Sequence, residues 1–288
     1  MKKVFIAGCG YIGGRIARLA HEEGLAVNCM VRSTDHAERL KALGFSTVSC
    51  ALDNLAEVQA LDVAGAVLFY LVPPPGGGIS DPRAANFCSA LTGSAPPEKI
   101  VYISATSVYG QSRSLVNEDS PAVPDTAMGK RRLDAERVFL EFGKSRNVPV
   151  VILRVSGIYG PGRLPLMQIR QHQPLLLEEQ SGPSNRIHAD DLVQVCMAAA
   201  EKGEDGDIFN VSDGHPSSMT TYFNAVADLL GEERQPQVTL SEARQVMSPL
   251  MFSYVSETRI VDNTRMLEKL NIQLRYPTLK DGLHTCLV

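Results

Sequence analysis

Near its N-terminus the chain reads Val4-Phe5-Ile6-Ala7-Gly8-Cys9-Gly10-Tyr11-Ile12-Gly13. The four apolar residues predict a strand that is buried on both faces, and the G-x-G-x-x-G pattern after it opens a helix. In this pattern the first glycine permits a tight turn, the second lets the backbone approach a diphosphate, and the third lets the helix pack on the strand. We therefore predict that Gly8, Gly10, Tyr11, Ile12 and Gly13 bind a dinucleotide.

Short apolar runs and stretches of helical period alternate from this point to about residue 155. The predicted strands are Val4–Ala7, Ala26–Val31, Phe45–Cys50, Val67–Val72, Lys99–Ser104 and Pro149–Arg154, with a further one at Ile208–Val211. The predicted helices are Ile12–Glu23, His36–Leu43, Leu55–Leu61, Ala84–Leu91, Ala127–Phe142 and Asp190–Glu201. Such alternation implies a parallel sheet with right-handed crossovers, so the predicted fold class is α/β with a doubly wound Rossmann sheet.

The regular alternation ends after Arg154, where prolines separate short segments and the stretch from Pro216 to Tyr276 reads as short helices. We predict a smaller, mostly helical C-terminal part that covers the cofactor cleft. The predicted division assigns residues 1–155 and about 186–212 to the NAD(P)-binding Rossmann domain, and about 156–185 and 213–288 to the smaller substrate-binding part.

Composition narrows the range of functions. The chain has 288 residues, 44% of them hydrophobic and 21% charged, with a formal net charge of −4. This balance is ordinary for a globular protein and argues against nucleic acid or an anionic membrane as a partner. No apolar run is long enough to span a bilayer, and the six cysteines form no C-x-x-C motif. We expect a cytoplasmic protein with free thiols and no bound metal.

The end of the second strand indicates which dinucleotide is bound. An acidic residue there would bond the ribose 2′-hydroxyl of NAD, but the sequence has Val31-Arg32-Ser33-Thr34. Because a guanidinium pairs well with phosphate, Arg32 and Ser33 favour NADP, while Asp35 keeps NAD open as the alternative. After the fourth strand, Val72 and Pro73 begin a Pro- and Gly-rich loop that either skirts the nicotinamide ribose or is simply a stiff surface loop.

Several motifs, in this order, resemble those of the extended short-chain dehydrogenases/reductases, the NAD-dependent epimerase/dehydratase group, and within it an atypical branch with degenerate active sites. Besides the glycine motif they are Tyr102-Ile103-Ser104-Ala105-Thr106-Ser107-Val108-Tyr109-Gly110, Leu153-Arg154-Val155-Ser156-Gly157-Ile158-Tyr159-Gly160-Pro161-Gly162, Arg186-Ile187-His188-Ala189-Asp190-Asp191-Leu192 and Phe209-Asn210-Val211-Ser212-Asp213-Gly214. The resemblance spans about residues 1 to 215.

The resemblance implies proton exchange by a Tyr whose pKa is lowered by a Lys four residues later, assisted by a Ser or Thr at a strand end. This chain has Met128, Arg132 and Ala105 at those three positions. The candidates for the roles that these replacements leave open in proton exchange are Thr106, Ser107 and Lys130. Ser104, at the same sheet edge, is expected to contact the cofactor, although each of these hydroxyls can equally cap the strand end.

Charged side chains after residue 155 suggest an anionic small-molecule substrate. Arg163, Arg170 and Arg186 fall in segments that would line the substrate cleft, with solvated surface arginines as the other interpretation. Many epimerase-like members have an Arg four residues before the His of the fourth motif, where this chain has Ser184; this departure disfavours a sugar nucleotide. The acidic pair after His188 is interpreted as a helix cap rather than a metal site.

Two functions stay open at this stage. The first is an NAD(P)-dependent oxidoreductase or epimerase/dehydratase-like enzyme acting on an unidentified carbonyl or sugar-type small molecule. The second is a non-catalytic NAD(P)-binding protein that senses redox state or regulates a partner, since Ser, Tyr and Lys are all replaced. The resemblance also implies a possible homodimer, formed through the helices predicted at Ala84–Leu91 and Ala127–Phe142.

Overall fold

The computed structural model describes residues 1–53, 58, 61–93 and 95–287. Its centre is a seven-stranded sheet in which every neighbouring pair is parallel. The strands are β1 (Lys3–Ala7), β2 (Ala26–Val31), β3 (Ser46–Ser49), β4 (Val67–Tyr70), β5 (Lys99–Ala105), β6 (Val150–Val155) and β7 (Ile208–Val211). Their order is β7-β6-β5-β4-β1-β2-β3, which confirms the predicted doubly wound α/β fold.

With one exception, the helices that the sequence pattern predicts are present in the described part of the chain, together with shorter ones. They are α1 (Tyr11–Glu22), α2 (Thr34–Ala42), α3 (Pro82–Leu91), α4 (Ala127–Arg146), α5 (Leu166–Arg170), α6 (Ala189–Lys202), α7 (Met219–Leu230), α8 (Leu240–Val246), α9 (Pro249–Val255), α10 (Thr264–Lys269) and α11 (Leu279–Leu283). The helix predicted at Leu55–Leu61 falls almost wholly outside the described residues.

The helices cover both faces of the sheet, which explains why its strands are continuously apolar. On one face, α1, α2 and α6 pack against side chains such as Ile6 and Leu153. On the other face, α3 and α4 enclose an aromatic cluster: the Tyr70 and Phe139 ring centroids lie 4.7 Å apart, and those of Tyr102 and Phe139 lie 4.9 Å apart.

The last third of the chain builds a separate apolar cluster around Tyr222 and Phe223 of α7. Four short strand pairs join distant segments here. They are Gly157–Tyr159 with Arg186–His188, Leu175–Leu176 with Gln237–Val238, Pro183–Ser184 with Ser217–Ser218, and Leu115–Val116 with Ile260–Val261. Since these pairs connect residues on both sides of the predicted boundaries, the division into two domains stays a prediction.

The helices of the predicted dimer surface, α3 and α4, pack on each other and on the sheet. Their apolar residues Phe87 and Phe139 are fully buried within this chain. The homodimer therefore stays a prediction from the resemblance. Among the described residues, no helix combines the length and hydrophobicity that crossing a membrane requires.

Candidate functional site

The glycine loop between β1 and α1 has the geometry that its sequence predicts. Gly8 has a φ of +90°, in the region that favours glycine, and its N–H donates to the Met30 carbonyl at 3.0 Å. A Cβ on Gly13 would lie 2.6 Å from the carbonyl oxygen of Gly8, so this glycine permits the close packing of α1 on the loop. A Cβ on Gly10 would meet no atom within 4 Å. Gly10 therefore borders open space.

The N-terminus of α1 faces this open space without a protein partner. Its N-cap residue is Gly10, no side chain caps it, and its first turn contains no acidic residue. Three N–H groups of such a turn have no acceptor within the helix, and the positive end of the helix dipole adds to them. This arrangement is suited to an anion, and to a diphosphate in particular.

A cleft of about 570 Å³ opens above the carboxyl ends of β1, β2 and β4. Eight of the ten predicted cofactor residues line it: Gly8, Gly10, Tyr11, Ile12, Gly13, Arg32, Val72 and Pro73. The other two, Ser33 and Ser104, do not line it, and their hydroxyls have partners within the protein. Ser33 is the N-cap of α2 and accepts from His36 N–H. Ser104 is buried and donates to Glu136 Oε1 at 2.5 Å.

The end of this cleft near Arg32 contains polar residues that the sequence patterns did not single out. Asp53 and Arg83 form a two-pronged ion pair with distances of 2.7 and 3.0 Å, and this pairing lowers the pKa of Asp53. His36 also lines the wall. Asp35, which kept NAD open as the cofactor, is exposed in the first turn of α2 and does not line the cleft.

The three replaced family positions lie in different surroundings. Met128 is 45% exposed in the first turn of α4, and neither Met128 nor Ala105 lines this cleft. Arg132 does line it, and its Nη1 donates to the Ile103 carbonyl at 2.9 Å. Lys130 is exposed and lies outside the cleft. Of the residues on α4 considered from the sequence, only Arg132 is therefore placed to contact a molecule in the cleft.

A second cleft, of about 260 Å³, adjoins the first, and Ile158 and Arg163 line both. Thr106 and Arg186 line the second cleft, as the sequence analysis expects of a substrate site, whereas Ser107 and Arg170 do not. The Ser107 hydroxyl is buried with no partner in the described part of the chain.

Arg259 reaches the second cleft from the segment after α9. Its Nε donates to the Gly110 carbonyl at 2.7 Å, and its Nη1 lies 3.4 Å from Thr106 Oγ1 and 2.5 Å from Glu257 Oε1. Sequence reasoning missed Arg259 because it lies in an irregular segment far along the chain and matches no motif. The contact leaves the Thr106 hydroxyl hydrogen free to donate elsewhere, since the oxygen is the acceptor.

A buried polar network links α4 with strands β6 and β7. Glu136 and Arg154 form an ion pair at 2.8 Å with side chains only 3% and 5% exposed. The Arg154 guanidinium lies 4.8 Å from the Tyr109 ring centre, and the Tyr109 hydroxyl donates to Asn210 Oδ1 at 2.8 Å. Tyr109 is therefore structural, and burial raises the pKa of its hydroxyl.

The acidic cluster at α6 is also structural, but the capping prediction was wrong in detail. The N-cap is His188, whose Nδ1 accepts from Asp190 N–H at 3.2 Å. Asp190 lies 3.5 Å from Arg15, and Asp191 accepts from the N–H groups of Arg275 and Tyr276. The carboxylates thus hold neighbouring segments in place. The imidazole of His188, the last residue of the preceding short strand, caps the helix in their stead.

Comparisons with known proteins agree with this architecture. A model of the NAD dependent epimerase/dehydratase family matches residues 83–212. Protein YeeZ of Escherichia coli strain K12 is 26% identical, over 96% of this chain and 97% of YeeZ.

Two solved structures cover almost the whole chain. A functionally unknown conserved protein from Silicibacter pomeroyi DSS superposes with a TM-score of 0.85 at 27% identity, over 99% of this chain and 97% of that one. UDP-glucuronic acid 4-epimerase from Bacillus cereus, solved with UDP-glucuronic acid and NAD, gives a TM-score of 0.77 at 20% identity, with coverage of 99% and 97%. At that identity the epimerase indicates a shared fold.

Proposed function

We propose that the chain is a member of the extended short-chain dehydrogenase/reductase superfamily and an NAD(P)-binding oxidoreductase that acts on a small carbonyl compound; the match of residues 83–212 to the NAD dependent epimerase/dehydratase family supports the first part. One observation carries the proposal. The uncapped first turn of α1 and the unobstructed Gly10 border the first cleft, and a second, smaller cleft adjoins it. The arrangement fits a dinucleotide in the first cleft and its reaction partner in the second.

The residues of the first cleft fit each part of a dinucleotide. The N–H groups at the start of α1 would bind the diphosphate, and Arg132, on α4 beside β5, would hold the nicotinamide-side ribose. At the opposite end, Arg32 is exposed and free of hydrogen bonds to the described residues, so its guanidinium would pair with a 2′-phosphate. We therefore assign NADP as the preferred cofactor.

The bound cofactor would supply the hydride, and Thr106 is the residue placed to orient the substrate oxygen. Thr106 is 7% exposed, lines the second cleft, and its oxygen is engaged by Arg259. Its hydrogen is therefore available to donate to another acceptor. It lies one residue after Ala105, where the family has Ser or Thr, so a shift of one position would restore this role.

Titration calorimetry with NADPH and NADH tests the cofactor assignment. Arg32→Ala should weaken NADPH binding by about 1.5–3 kcal/mol, the value of a hydrogen bond to a charged group, and should leave NADH binding unchanged. Arg39→Ala is the matched control, because Arg39 is an exposed arginine on the adjacent helix α2 and does not line the cleft. Equal losses for NADPH and NADH in Arg32→Ala would refute the assignment.

Consumption of NADPH tests the enzymatic proposal. The cofactor-loaded protein should oxidise NADPH in the presence of at least one member of a broad panel of carbonyl compounds, and Thr106→Val should slow this reaction far more than it changes NADPH affinity. Absence of turnover over the whole panel, with NADPH binding demonstrated, would contradict the proposal.

The exposed position of Met128 favours a second candidate function. A side chain that is 45% exposed and outside both clefts cannot take part in proton transfer there. A protein that binds NAD(P) and reports its redox state to a partner would need no such residue. A change in oligomeric state or partner binding between NADPH and NADP, without turnover, would support this function.

A further inference from the structure

Asn185 lines the second cleft, and the nitrogen end of its side-chain amide has no partner in the described part of the chain. The residue is 7% exposed, and its Oδ1 accepts from Val261 N–H at 2.9 Å. Its Nδ2 is buried and has no partner in the described part of the chain. A buried donor without an acceptor costs about 1–3 kcal/mol. This donor, fixed by the other end of the same amide, is therefore suited to an acceptor that a ligand brings.

The charges around Asn185 show which kind of acceptor the cleft favours. The charged residues that line it are Arg163, Arg186, Arg259 and one acid, Glu257, and that acid is already paired with Arg259. Arg186 is only 5% exposed, and its hydrogen bonds go to neutral atoms of residues 217–219. A guanidinium stays protonated in proteins, so this wall carries an excess of positive charge.

The walls of the cleft also limit the size of its occupant. Its volume of about 260 Å³ is just below the ~300 Å³ at which sites for drug-sized ligands begin. Tyr222 forms one wall, with its ring 4.4 Å from the Arg186 guanidinium, and Tyr254 forms another. Ser184 also lines the cleft, and its hydroxyl donates to the Ser217 carbonyl.

We propose that the second cleft selects a small carbonyl compound by one compact anionic group, a carboxylate or a phosphate, which accepts from Asn185 Nδ2 and is attracted by Arg186 and Arg259. The volume of the cleft, about 260 Å³, suits such a compound better than a sugar nucleotide. The inference rests on the proposed function only in naming this occupant as the substrate. The anion site itself is inferred from the unpartnered Asn185 Nδ2 and from the excess of arginines in the lining.

Matched pairs of compounds test the proposal by calorimetry, with and without NADPH. The pairs are 2-oxobutanoate with butanone, and dihydroxyacetone phosphate with dihydroxyacetone, with UDP-glucose as the large anion. At least one anionic member should bind about tenfold or more tightly than its neutral partner, which corresponds to about 1.4 kcal/mol. Equal binding within both pairs, no binding of any small compound at millimolar concentration, or tighter binding of UDP-glucose would overturn the proposal.

Two substitutions assign the effect to this wall. Asn185→Asp keeps an oxygen for Val261 N–H but replaces the free donor by a negative charge, so the preferred anion should bind at least about tenfold more weakly. Asn117→Asp, which adds the same charge at an exposed site outside the cleft, should bind it normally. Glu257→Gln removes the acid from the lining and should strengthen anion binding; this side chain is 38% exposed, and its partner Arg259 keeps its hydrogen bond to the Gly110 carbonyl.

The NADPH affinity separates failure of the proposal from failure of the proposed function. All three variants should bind NADPH as the original chain does, because none of the three residues lines the first cleft. Unchanged anion affinity in Asn185→Asp would overturn the anion site while leaving cofactor binding intact. Absence of NADPH binding in the original chain, with anion binding present, would instead remove the oxidoreductase proposal alone.

Discussion

Gly13 and Gly14 are consecutive residues of α1 that should respond in opposite ways to the same substitution. A Cβ on Gly13 would lie 2.6 Å from the Gly8 carbonyl oxygen and 3.0 Å from Ile6 Cγ2, whereas one on Gly14 would meet nothing within 4 Å. The nearer obstacle for Gly13 is backbone in a loop that is itself hydrogen-bonded to β2. The close contact between a Cβ on Gly13 and the Gly8 carbonyl oxygen can therefore be relieved only if α1 moves away from β1.

The magnitude follows from two terms. Replacing glycine by alanine within a helix gains about 1 kcal/mol at either position, because alanine has the higher helix propensity. Overpacking costs about 1–3 kcal/mol at Gly13, and the upper end applies because the obstacle is backbone. Gly14→Ala should therefore stabilise the protein by up to about 1 kcal/mol, and Gly13→Ala should be less stable than Gly14→Ala by about 3 kcal/mol.

Urea unfolding followed by circular dichroism measures this difference directly. Helix propensity cancels between the two variants, so the difference reports the steric contact alone. NADPH binding should also be weakened in Gly13→Ala, because a displaced α1 no longer presents its first turn to the diphosphate. Equal stability of the two variants would refute the packing role assigned to Gly13.

Three further predictions concern charged groups. Arg132→Ala should weaken NADPH and NADH by the same factor in calorimetry, because Arg132 lines the cleft from α4 beside β5, three strands away from β2; a selective loss of NADPH would contradict its placement. Glu136→Gln should destabilise the protein by about 3–5 kcal/mol in urea unfolding, since Arg154 would be left as a buried charge without its partner; the double variant Glu136→Leu, Arg154→Met should recover much of this loss. Burial raises the pKa of Asp213 from 3.8 to about 6, so the folded state holds an extra proton between these values and loses stability as the pH rises through this range. Asp213→Asn should therefore gain stability over the original chain between pH 4 and pH 7, by on the order of 3 kcal/mol, and unfolding curves that keep a constant offset over this range would contradict the shift.

The fold was predictable because burial on both faces leaves a strong signal in the sequence. A strand such as β6, which is 0–5% exposed throughout, has to be apolar along its length, and Arg154 is its exception because Glu136 neutralises it. The seven strands consequently agree with their predicted positions to within two residues. The glycine loop was predictable for a related reason: its turn and its packing each restrict a position to glycine.

The side chains of the second cleft were much less predictable. Asn185 and Arg259 are brought together by pairings between segments more than 70 residues apart, and their chemistry depends on which atoms remain unpaired. No local pattern encodes this. The same holds for Ser104, whose position at the strand end suggested contact with the cofactor. Its hydroxyl instead donates to the carboxylate of Glu136, which lies 32 residues further along the chain.

The difference between Gly10 and Gly13 has a consequence for how such proteins evolve. Gly13 is required by the packing of a helix on its own loop, so selection for folding retains it in any lineage, whether or not a dinucleotide is used. Gly10 borders only the space into which a ligand fits, and a lineage that abandoned the ligand would be free to lose it. Across relatives of this chain, substitution at Gly10 rather than at Gly13 is the change that would mark the descendants in which binding has ceased.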